Sequence, residues 1–352
     1  METGPVDFVI VTALKIERDA ILKRLDSYNS IQEDFEAITY YYGYLTIPAS
    51  GEQYTVVVIM LLDMGNDEAA VWTTHAIQRW QPANVLMVGI AGGVPKKVAL
   101  GDVVVADFCY YYELAKRTIK GDQRRPKQFP SDRLLYGRAQ AYEASEWKGE
   151  INVARPGAAS AKVKLPEAHF GVIGSGEKVI ADTKTLPTLL KECPKLLAIA
   201  MEGAGVARAA TSHSKQPPRF LEVRSICDFA DPKKNDKWQV YAANAAAAFT
   251  IGLLRSRPLP PLKTIKDSEV KPDLPIMVLC AQSLRRIGPE ELSDVLEAKF
   301  KGRKVETVSL DFTDVVANGS LADPEAAARR LADPQGKLFG ALARRNEAEL
   351  VF

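Results

Sequence analysis

Asp7-Phe-Val-Ile-Val-Thr12 is a short, continuous apolar run near the start of the 352-residue sequence. A run of this length without polar alternation is typical of a strand covered on both faces. Further runs of this kind are predicted to be strands at 54–62, 84–88, 102–108, 169–173, 196–200 and 221–226. Helical patterns lie between several of them, at 13–24, 67–80, 202–212 and 240–254. The alternation predicts an α/β fold, an αβα sandwich around a central mixed or largely parallel sheet.

A change of composition divides the chain. Residues 255–271 combine proline with charge, which is typical of a linker. We therefore predict a catalytic domain over 1–257, a linker over 258–273 and a small C-terminal α/β module over 274–352. Strands are expected at 274–280 and 304–310, with a helix at 289–300. The final Glu349-Leu-Val-Phe352 resembles a strand just beginning, so the module is interpreted as the start of a truncated sensor domain.

Composition narrows the classes of function. The chain is 47% hydrophobic and 26% charged, with a net charge of +2, which argues against general nucleic-acid binding. Its four cysteines form no CxxC pair and its three histidines lie far apart, so neither a zinc site nor a cofactor is expected. No signal peptide is apparent, and the apolar stretch at 241–254 is too short to span a bilayer. A cytoplasmic location without a membrane partner is the expectation.

Four chemically distinctive elements follow predicted strands, where ligands bind in α/β sheets. They are Glu17, the glycine turn Gly89–Gly93, the pair Met201-Glu202, and Cys227-Asp228. Each has a structural explanation when taken singly. The glycines suit a tight turn, Glu17 and Glu202 suit the first turn of a helix, and Asp228 suits a turn. In this order, each after an apolar strand, they are more specific.

Together these elements resemble the nucleoside phosphorylase and nucleosidase superfamily over residues 6–255, and most closely its methylthioadenosine/S-adenosylhomocysteine nucleosidase branch. The resemblance implies that Glu17 activates water, that Glu202 holds the ribose hydroxyls beside Met201, and that Asp228 bonds to N7 of the purine. It also implies that the backbone of Ile180 reads the Watson–Crick edge of adenine. The remaining substrate-binding candidates of the resemblance are Gly89, Ile90, Ala91, Val179 and Cys227. Two of them depart from the family pattern, since Val179 replaces a stacking Phe and Cys227 replaces a common Ser.

The residue types suit cleavage of an N-glycosidic bond. The purine leaves poorly as an anion, and a carboxyl that shares a proton with N7 removes that obstacle. Pre-protonating an ordinary Asp at neutral pH would cost about 4 kcal/mol, so Asp228 is expected to share a proton only as N7 becomes basic in the transition state. Glu17 must instead be ionised to accept a proton from water. Such opposed needs are the usual pattern of acid–base catalysis.

A phosphate-dependent purine nucleoside phosphorylase is the main alternative. Family phosphorylases bring Arg or Ser to the glycine turn to bind phosphate, whereas here Leu86-Met-Val-Gly-Ile90 is apolar. Water is therefore the expected nucleophile. A third possibility is a non-catalytic nucleotide-sensing module, against which the intact Glu17, Glu202 and Asp228 argue.

A basic loop follows Tyr112. Its cations are Lys116, Arg117, Lys120, Arg124, Arg125 and Lys127. In the resembled family this region lies toward the 5′ end of the ribose, so Arg124 and Arg125 are predicted to bind a 5′-phosphate. The solvated surface loop is the alternative. The loop favours an adenine nucleotide, AMP or ATP, over methylthioadenosine.

The stretch from Cys227 to Ala243 also resembles nucleosidase domains that are fused to sensors in bacterial immune proteins. That resemblance implies a nucleotide-depleting effector in anti-phage defence. The C-terminal module loosely resembles a Rossmann-like sensor, which implies a cyclic-oligonucleotide activator. Family members are dimers or larger, which implies a homo-oligomer.

Overall fold

The structure is a computed structural model that describes residues 4–32, 37–119, 121–142, 145–157, 165–212, 216–232 and 235–262. Beyond them it describes the backbone of residues 276–282, 305–311 and 349–351. The chain divides into two compact units, Met1–Leu262 and Lys263–Phe352.

The first unit alternates strands with helices. Its strands are β1 (Phe8–Thr12), β2 (Ser27–Ile31), β3 (Tyr40–Thr46), β4 (Gln53–Met60), β5 (Asn84–Gly93), β6 (Val103–Tyr111), β7 (Ala115–Thr118), β8 (Gly121–Arg124), β9 (Lys127–Pro130), β10 (Ala168–Ser175), β11 (Leu196–Ala200) and β12 (Arg219–Asp228). Its helices are α1 (Lys15–Leu22), α2 (Asn66–Trp80), α3 (Arg133–Gln140), α4 (Glu146–Gly149), α5 (Thr185–Glu192), α6 (Gly203–Thr211) and α7 (Gln239–Arg255).

One mixed sheet organises this unit. Among the described residues, ten strands join it, nine in the order β11-β10-β6-β12-β5-β1-β4-β3-β2, with β9 paired to β6. Strand β1 runs parallel to both β4 and β5, and β12 runs parallel to β5, whereas β6 is antiparallel to β12. The predicted central mixed sheet is therefore confirmed.

Helices cover both faces of the sheet. Along β1, Phe8 and Ile10 join a core with α1 and α7, while Val9 and Val11 join a second core with α2 and α6. Because successive side chains of a strand point to opposite faces, both sets must be apolar. This explains the unbroken apolar run at 7–12 and confirms the predicted αβα sandwich.

The sheet also curls so that distant strand ends meet. Strand β11 pairs antiparallel with the last residues of β5, with Ala198 opposite Gly93 and Ile199 opposite Gly92. A Cβ added to Gly93 would lie only 2.6 Å from Ile226 Cγ2, so the close approach of β5 and β12 requires glycine there. The residues after β11 are thereby brought beside the ends of β5 and β12.

Residues 258–262 differ from the sequence expectation. We predicted a linker from 258 onward, but the Tyr54 hydroxyl donates to the Leu259 carbonyl, and the Leu262 amide donates to the Asp7 carboxylate. This segment is therefore packed on the first unit, and the rest of the predicted linker lies outside the described residues. Among the helices of the described ranges, none is long and apolar enough to cross a bilayer.

In the second unit the described backbone forms three strands. They are β13 (Ile276–Gln282), β14 (Val305–Asp311) and β15 (Glu349–Val351). All pairings are parallel, in the order β14-β13-β15. The strands expected near 274–280, 304–310 and the C-terminus are present, within about two residues of the predicted bounds. The helix predicted at 289–300 lies outside the described residues.

Candidate active site

Glu17 is fixed by the backbone of the turn that carries it. It occupies the third position of α1, where its Oε2 accepts hydrogen bonds from the amides of Ala13 and Leu14, each at 2.8 Å. Its Oε1 accepts from the Ile90 amide at 2.8 Å, which ties the helix to the end of β5. The residue is 2% exposed. The carboxyl group is therefore both buried and oriented.

Gly89 makes this contact possible. A Cβ at this position would overlap the Glu17 carboxylate and lie 2.8 Å from Nη1 of Arg224. Gly89–Gly93 was predicted to be a turn, but the structure has it as the end of β5, and glycine at position 89 is required for space rather than for an unusual backbone angle. Side chains of β12 and α1 occupy the volume that a larger residue would fill.

Arg224 lies at the centre of a buried ionic cluster. Its Nη2 donates to Glu202 Oε2 at 2.9 Å, its Nε to Glu222 Oε1 at 2.9 Å, and its Nη1 to the Ile90 carbonyl at 3.2 Å. The guanidinium is 1% exposed. Its burial opposes the charge, but the surrounding carboxylates outweigh this and raise the pKa of Arg224, so it is permanently charged.

The cluster has more carboxyl groups than cations. Burial raises the pKa of Glu17, the charge of Arg224 opposes this, and the charge of Glu202 adds to it. Burial likewise raises the pKa of Glu222 against the opposing charge of Arg224. A Glu17 carboxylate whose pKa is raised in this way is a stronger base than an ordinary glutamate.

Glu202 enters the site at the start of a helix. It is the N-cap residue of α6, directly after β11, and is 4% exposed. The Met201 that precedes it lines the same cavity. The ion pair with Arg224 holds the Glu202 carboxylate at the cavity wall, where it could accept hydrogen bonds from two neighbouring hydroxyls.

Asp228 lines the same cavity as Met201 and Glu202. It ends β12, is 7% exposed, and its Oδ1 accepts from the Ala230 amide at 2.8 Å. The thiol of Cys227 lies 3.3 Å from Oδ2 and 3.5 Å from the Ala91 carbonyl. The carboxyl group is therefore held in place by its own turn.

One pocket collects these residues. Of the predicted site residues, it is lined by Glu17, Ile90, Ala91, Val179, Ile180, Met201, Glu202, Cys227 and Asp228. The three acidic side chains, distant in sequence, therefore converge on a single cavity. Val179 is 49% exposed, so it forms an open edge of the cavity.

A polar junction supports the loop that carries Val179 and Ile180. Asn66, the first residue of α2, donates from Nδ2 to the Gly176 carbonyl at 3.1 Å and to Glu177 Oε1 at 3.0 Å. Its Oδ1 accepts from the Ser175 hydroxyl and from the Gly205 amide, each at 2.9 Å. Asn66 thus joins α2, the 175–180 loop and α6.

The two arginines predicted to bind a 5′-phosphate are not brought to this pocket. Arg124 ends β8 of the β7–β8 hairpin, and its guanidinium pairs with Glu192 at 3.1 Å. Arg125 is exposed, and neither lines the cavity of the described chain. A charge on a two-stranded hairpin keeps its hydration or pairs locally, because desolvating it without a partner is costly. The geometry of the chain therefore gives no support to their predicted role.

Several site residues were not singled out from the sequence. They are Arg224, Glu222, Met64, Lys178 and Gln239, together with the Ala13 and Leu14 amides. Arg224 and Glu222 did carry a signal, since two charged residues two positions apart in a buried strand share one face and need a partner. The remaining residues reach the site through the tertiary arrangement of the chain, for which the sequence shows no comparable pattern.

The sandwich and its pocket define a nucleoside phosphorylase-like α/β domain. Residues 7–255 match the family model of the phosphorylase superfamily. Because this match spans most of the chain, the protein belongs to that superfamily.

Similar proteins agree with this assignment. The chain is 28% identical over 262 residues to the ATP nucleosidase Cap17 of Escherichia coli (strain KTE188), a match that covers 70% of this chain and 50% of the relative. It therefore spans about half the length of that protein. It is also 28% identical over 190 residues to the 5′-methylthioadenosine/S-adenosylhomocysteine nucleosidase of Marinomonas sp. (strain MWYL1), covering 54% of this chain and 75% of the relative.

A solved structure shares the fold. The nucleosidase of the latter type from Neisseria meningitidis, in complex with methylthio-immucillin-A, superimposes with a TM-score of 0.56. The match covers 71% of this chain and 99% of that chain at 20% sequence identity. At this identity the likeness concerns the fold of the first unit.

Proposed function

We propose that the first unit is an adenine nucleosidase, which hydrolyses the N-glycosidic bond of an adenine nucleotide. The observation that carries the proposal is the convergence of Glu17, Glu202 and Asp228 on one pocket, with Glu17 buried beside Arg224. Two relatives named as nucleosidases of adenine compounds support it.

Each carboxyl group has a separate role in this proposal. Glu17 accepts a proton from water as the water attacks the anomeric carbon of the sugar. Glu202 accepts hydrogen bonds from the ribose hydroxyls. Asp228 shares a proton with N7 as the purine departs, while the backbone of Ile180 contacts the edge of adenine. The two ends of the reaction are thus served by groups from different elements of one domain, Glu17 on α1 and Asp228 at the end of β12, which fixes their relative positions.

The charge of the pocket favours water over phosphate. Three buried carboxyl groups interact with one guanidinium, and Ile90, within the glycine segment Gly89–Gly93, is apolar. An incoming phosphate dianion would meet carboxylates at short range, and like charges in a low dielectric repel strongly. Water meets no such barrier.

The substrate assignment depends on the Cap17 relative. That protein is named an ATP nucleosidase and aligns with 70% of this chain, so we place ATP first and methylthioadenosine second. A nucleotide-depleting role in anti-phage defence, within a cytoplasmic homo-oligomer that a cyclic oligonucleotide activates, is part of the same proposal.

Adenine release tests the proposal. The protein would be incubated with ATP, AMP, adenosine and methylthioadenosine, with and without phosphate and with and without cyclic oligonucleotides, and free adenine would be measured. We expect release that does not depend on phosphate. Glu17→Gln and Asp228→Asn should each reduce kcat by about 10²- to 10⁴-fold, because each removes one proton-transfer group.

The controls separate the alternatives. Asp231→Asn changes a nearby aspartate that does not line the pocket and should retain activity. Release that requires phosphate and yields a ribose 1-phosphate would make the protein a phosphorylase. Nucleotide binding without turnover under every condition would make it a sensing module.

A further inference from the structure

Glu222 is a charged group that the proposed reaction does not use. It lies on β12, two residues before Arg224, and is fully buried at 0% exposure. A carboxyl group in this environment carries a large desolvation cost that only strong partners can offset. Such a residue on the wall of a catalytic cluster needs an explanation.

The local packing leaves space for this side chain. A Cβ on Gly203, the first residue of α6, would overlap both oxygens of the Glu222 carboxyl group. Glycine at the first position of α6, directly after the N-cap Glu202, therefore leaves room for the Glu222 carboxyl group. The start of α6 and the buried Glu222 carboxyl group are therefore packed directly against each other.

Glu222 holds one side of the Arg224 fork. Its Oε1 accepts from Nε at 2.9 Å, while Glu202 accepts from Nη2 at the same distance. The guanidinium is planar, so two acceptors on different nitrogens, Nε and Nη2, fix its orientation as well as its position. Its remaining contact is Nη1 with the Ile90 carbonyl, next to the amide that binds Glu17.

The charges around this fork can be counted by element. Glu222 is faced by Arg224 on its own strand, by Glu202 at the start of α6 and by the Cys109 thiol on β6. Glu17 on α1 is faced by the same Arg224 and Glu202. One cation therefore interacts with three carboxyl groups, and the negative charge of Glu222 partly offsets the positive potential that Arg224 produces at Glu17.

We propose that Glu222 is a positioning residue that orients Arg224 and whose negative charge offsets part of the positive potential of Arg224 at Glu17, which keeps Glu17 a stronger base. The inference rests on the proposed role of Glu17. Without the negative charge of Glu222, Arg224 would favour the ionised Glu17 carboxylate more strongly and so weaken its attraction for the proton of water. A stronger base raises the rate of a step that is limited by proton transfer.

The pH profile of Glu222→Gln is the direct test. Glutamine keeps the shape and an oxygen for Nε but removes the negative charge, so the positive potential of Arg224 at the Glu17 carboxylate is no longer offset. The pKa of Glu17 then falls, and the acid limb of kcat/KM should move to lower pH by roughly half a unit to one unit. The kcat on the plateau should fall by about two- to tenfold because the base is weaker.

Two further variants sharpen this test. Glu52→Gln is the matched control, since Glu52 also pairs with an arginine but lies on the surface away from the pocket, and its acid limb should not move. Glu222→Met removes both charge and acceptor, so it should lose more kcat than Glu222→Gln. An acid limb that stays in place or moves upward in Glu222→Gln would overturn the proposal.

A measurement without turnover decides the same question. Urea unfolding of wild type, Glu17→Gln, Glu222→Gln and the double variant gives their coupling at each pH. The pKa of Glu17 and the pKa of Glu222 are both raised. The repulsion between the two carboxylates is therefore absent when both groups are protonated and appears as they ionise with rising pH. We expect coupling at pH 8 and none at pH 4. Equal coupling at both would overturn the proposal, whereas a wild-type protein that releases no adenine would overturn only the proposed function.

Discussion

Glu17 combines two roles that usually exclude each other. A base must bind a proton readily, yet this carboxylate accepts three backbone hydrogen bonds that favour its ionised form. Burial and the nearby Glu202 outweigh them, so the net direction of its pKa is upward. The result is a base that is fixed in position without losing its proton affinity.

Gly89→Ala should show how closely this position is set. The added methyl group would overlap Glu17 Oε1 and crowd Arg224. A displacement of about 1 Å at a reacting group costs on the order of 10²-fold in rate, so we expect kcat to fall by about that factor. Steady-state adenine release measures it.

Gly137→Ala is the matched control for this change. Gly137 lies in α3, and a Cβ there would meet nothing within 4 Å. The variant should keep wild-type kcat and gain up to about 1 kcal/mol in stability, as alanine favours a helix over glycine. Wild-type kcat in Gly89→Ala would contradict the proposed position of the base.

At the residue level the sequence predicted the acids but not the cation between them. Glu17, Glu202 and Asp228 each follow a strand, so their convergence could be expected from the rule for ligand sites in α/β sheets. Arg224 lies inside strand β12, where the pattern of the sequence predicts that a side chain is buried but not which residues it contacts. Which carboxyl groups it meets depends on the pairing of β12 with β5, which is a tertiary property.

At the level of elements, Asn66 links three pieces of the site. It starts α2, binds the 175–180 loop through Gly176 and Glu177, and accepts from the Gly205 amide of α6. The loop that carries Ile180 and the helix that begins at Glu202 are therefore fixed to one side chain. A change there should disturb base binding and ribose binding together.

Asn66→Ala tests this link. The substitution leaves the buried Ser175 hydroxyl and Gly205 amide without their acceptor, which should cost about 1 to 3 kcal/mol of unfolding free energy per lost partner. We also expect KM for the nucleotide to rise more than kcat falls, because the loop and helix hold the substrate. Urea unfolding and steady-state kinetics measure the two effects.

Asn29→Ala provides the comparison, since Asn29 is exposed on the edge strand β2. It should change the unfolding free energy by less than about 0.5 kcal/mol. If Asn66→Ala and Asn29→Ala change the unfolding free energy and KM equally, Asn66 does not link α2, the 175–180 loop and α6 as described.

The elements themselves were predicted unevenly. Most buried strands and the helices α2, α6 and α7 were located within about two residues, because both faces of the sheet demand apolar runs, but β5 extends five residues and β6 three residues beyond the predicted end. Strands β2, β3, β7, β8 and β9 and helices α3, α4 and α5 were not predicted. Strand β3, Tyr40–Thr46, lies near the sheet edge and mixes buried with half-buried tyrosines, so it has no unbroken apolar run. Helix α5 is short and exposes much of its surface.

On the scale of the whole molecule, the first unit extends past its last helix. The segment 258–262 returns to the sheet, where Leu262 donates to Asp7 on the approach to β1 and Leu259 accepts from Tyr54 on β4. Both partners are buried. The sequence favoured a linker here because proline dominates the segment and charged residues follow it, and it contains no sign of this tertiary contact.

Two shortened chains test this boundary. A chain that ends at Arg257 loses both contacts, so it should be about 1 to 3 kcal/mol less stable than one that ends at Leu262. Burial raises the pKa of Asp7, and the Leu262 amide opposes this by stabilising the ionised form. The deficit should therefore grow as pH rises past 3.8, the ordinary value for the group. Urea unfolding at several pH values measures it, and equal stabilities would contradict the contact.

The amides of Ala13, Leu14 and Ile90 also bear on the recovery of the enzyme after each turnover. When Glu17 takes a proton, one of its oxygens changes from acceptor to donor while three N–H groups still point at the carboxyl. That mismatch favours expulsion of the proton to solvent once product has left. In the proposed reaction these backbone amides would therefore promote release of the proton from Glu17 between turnovers.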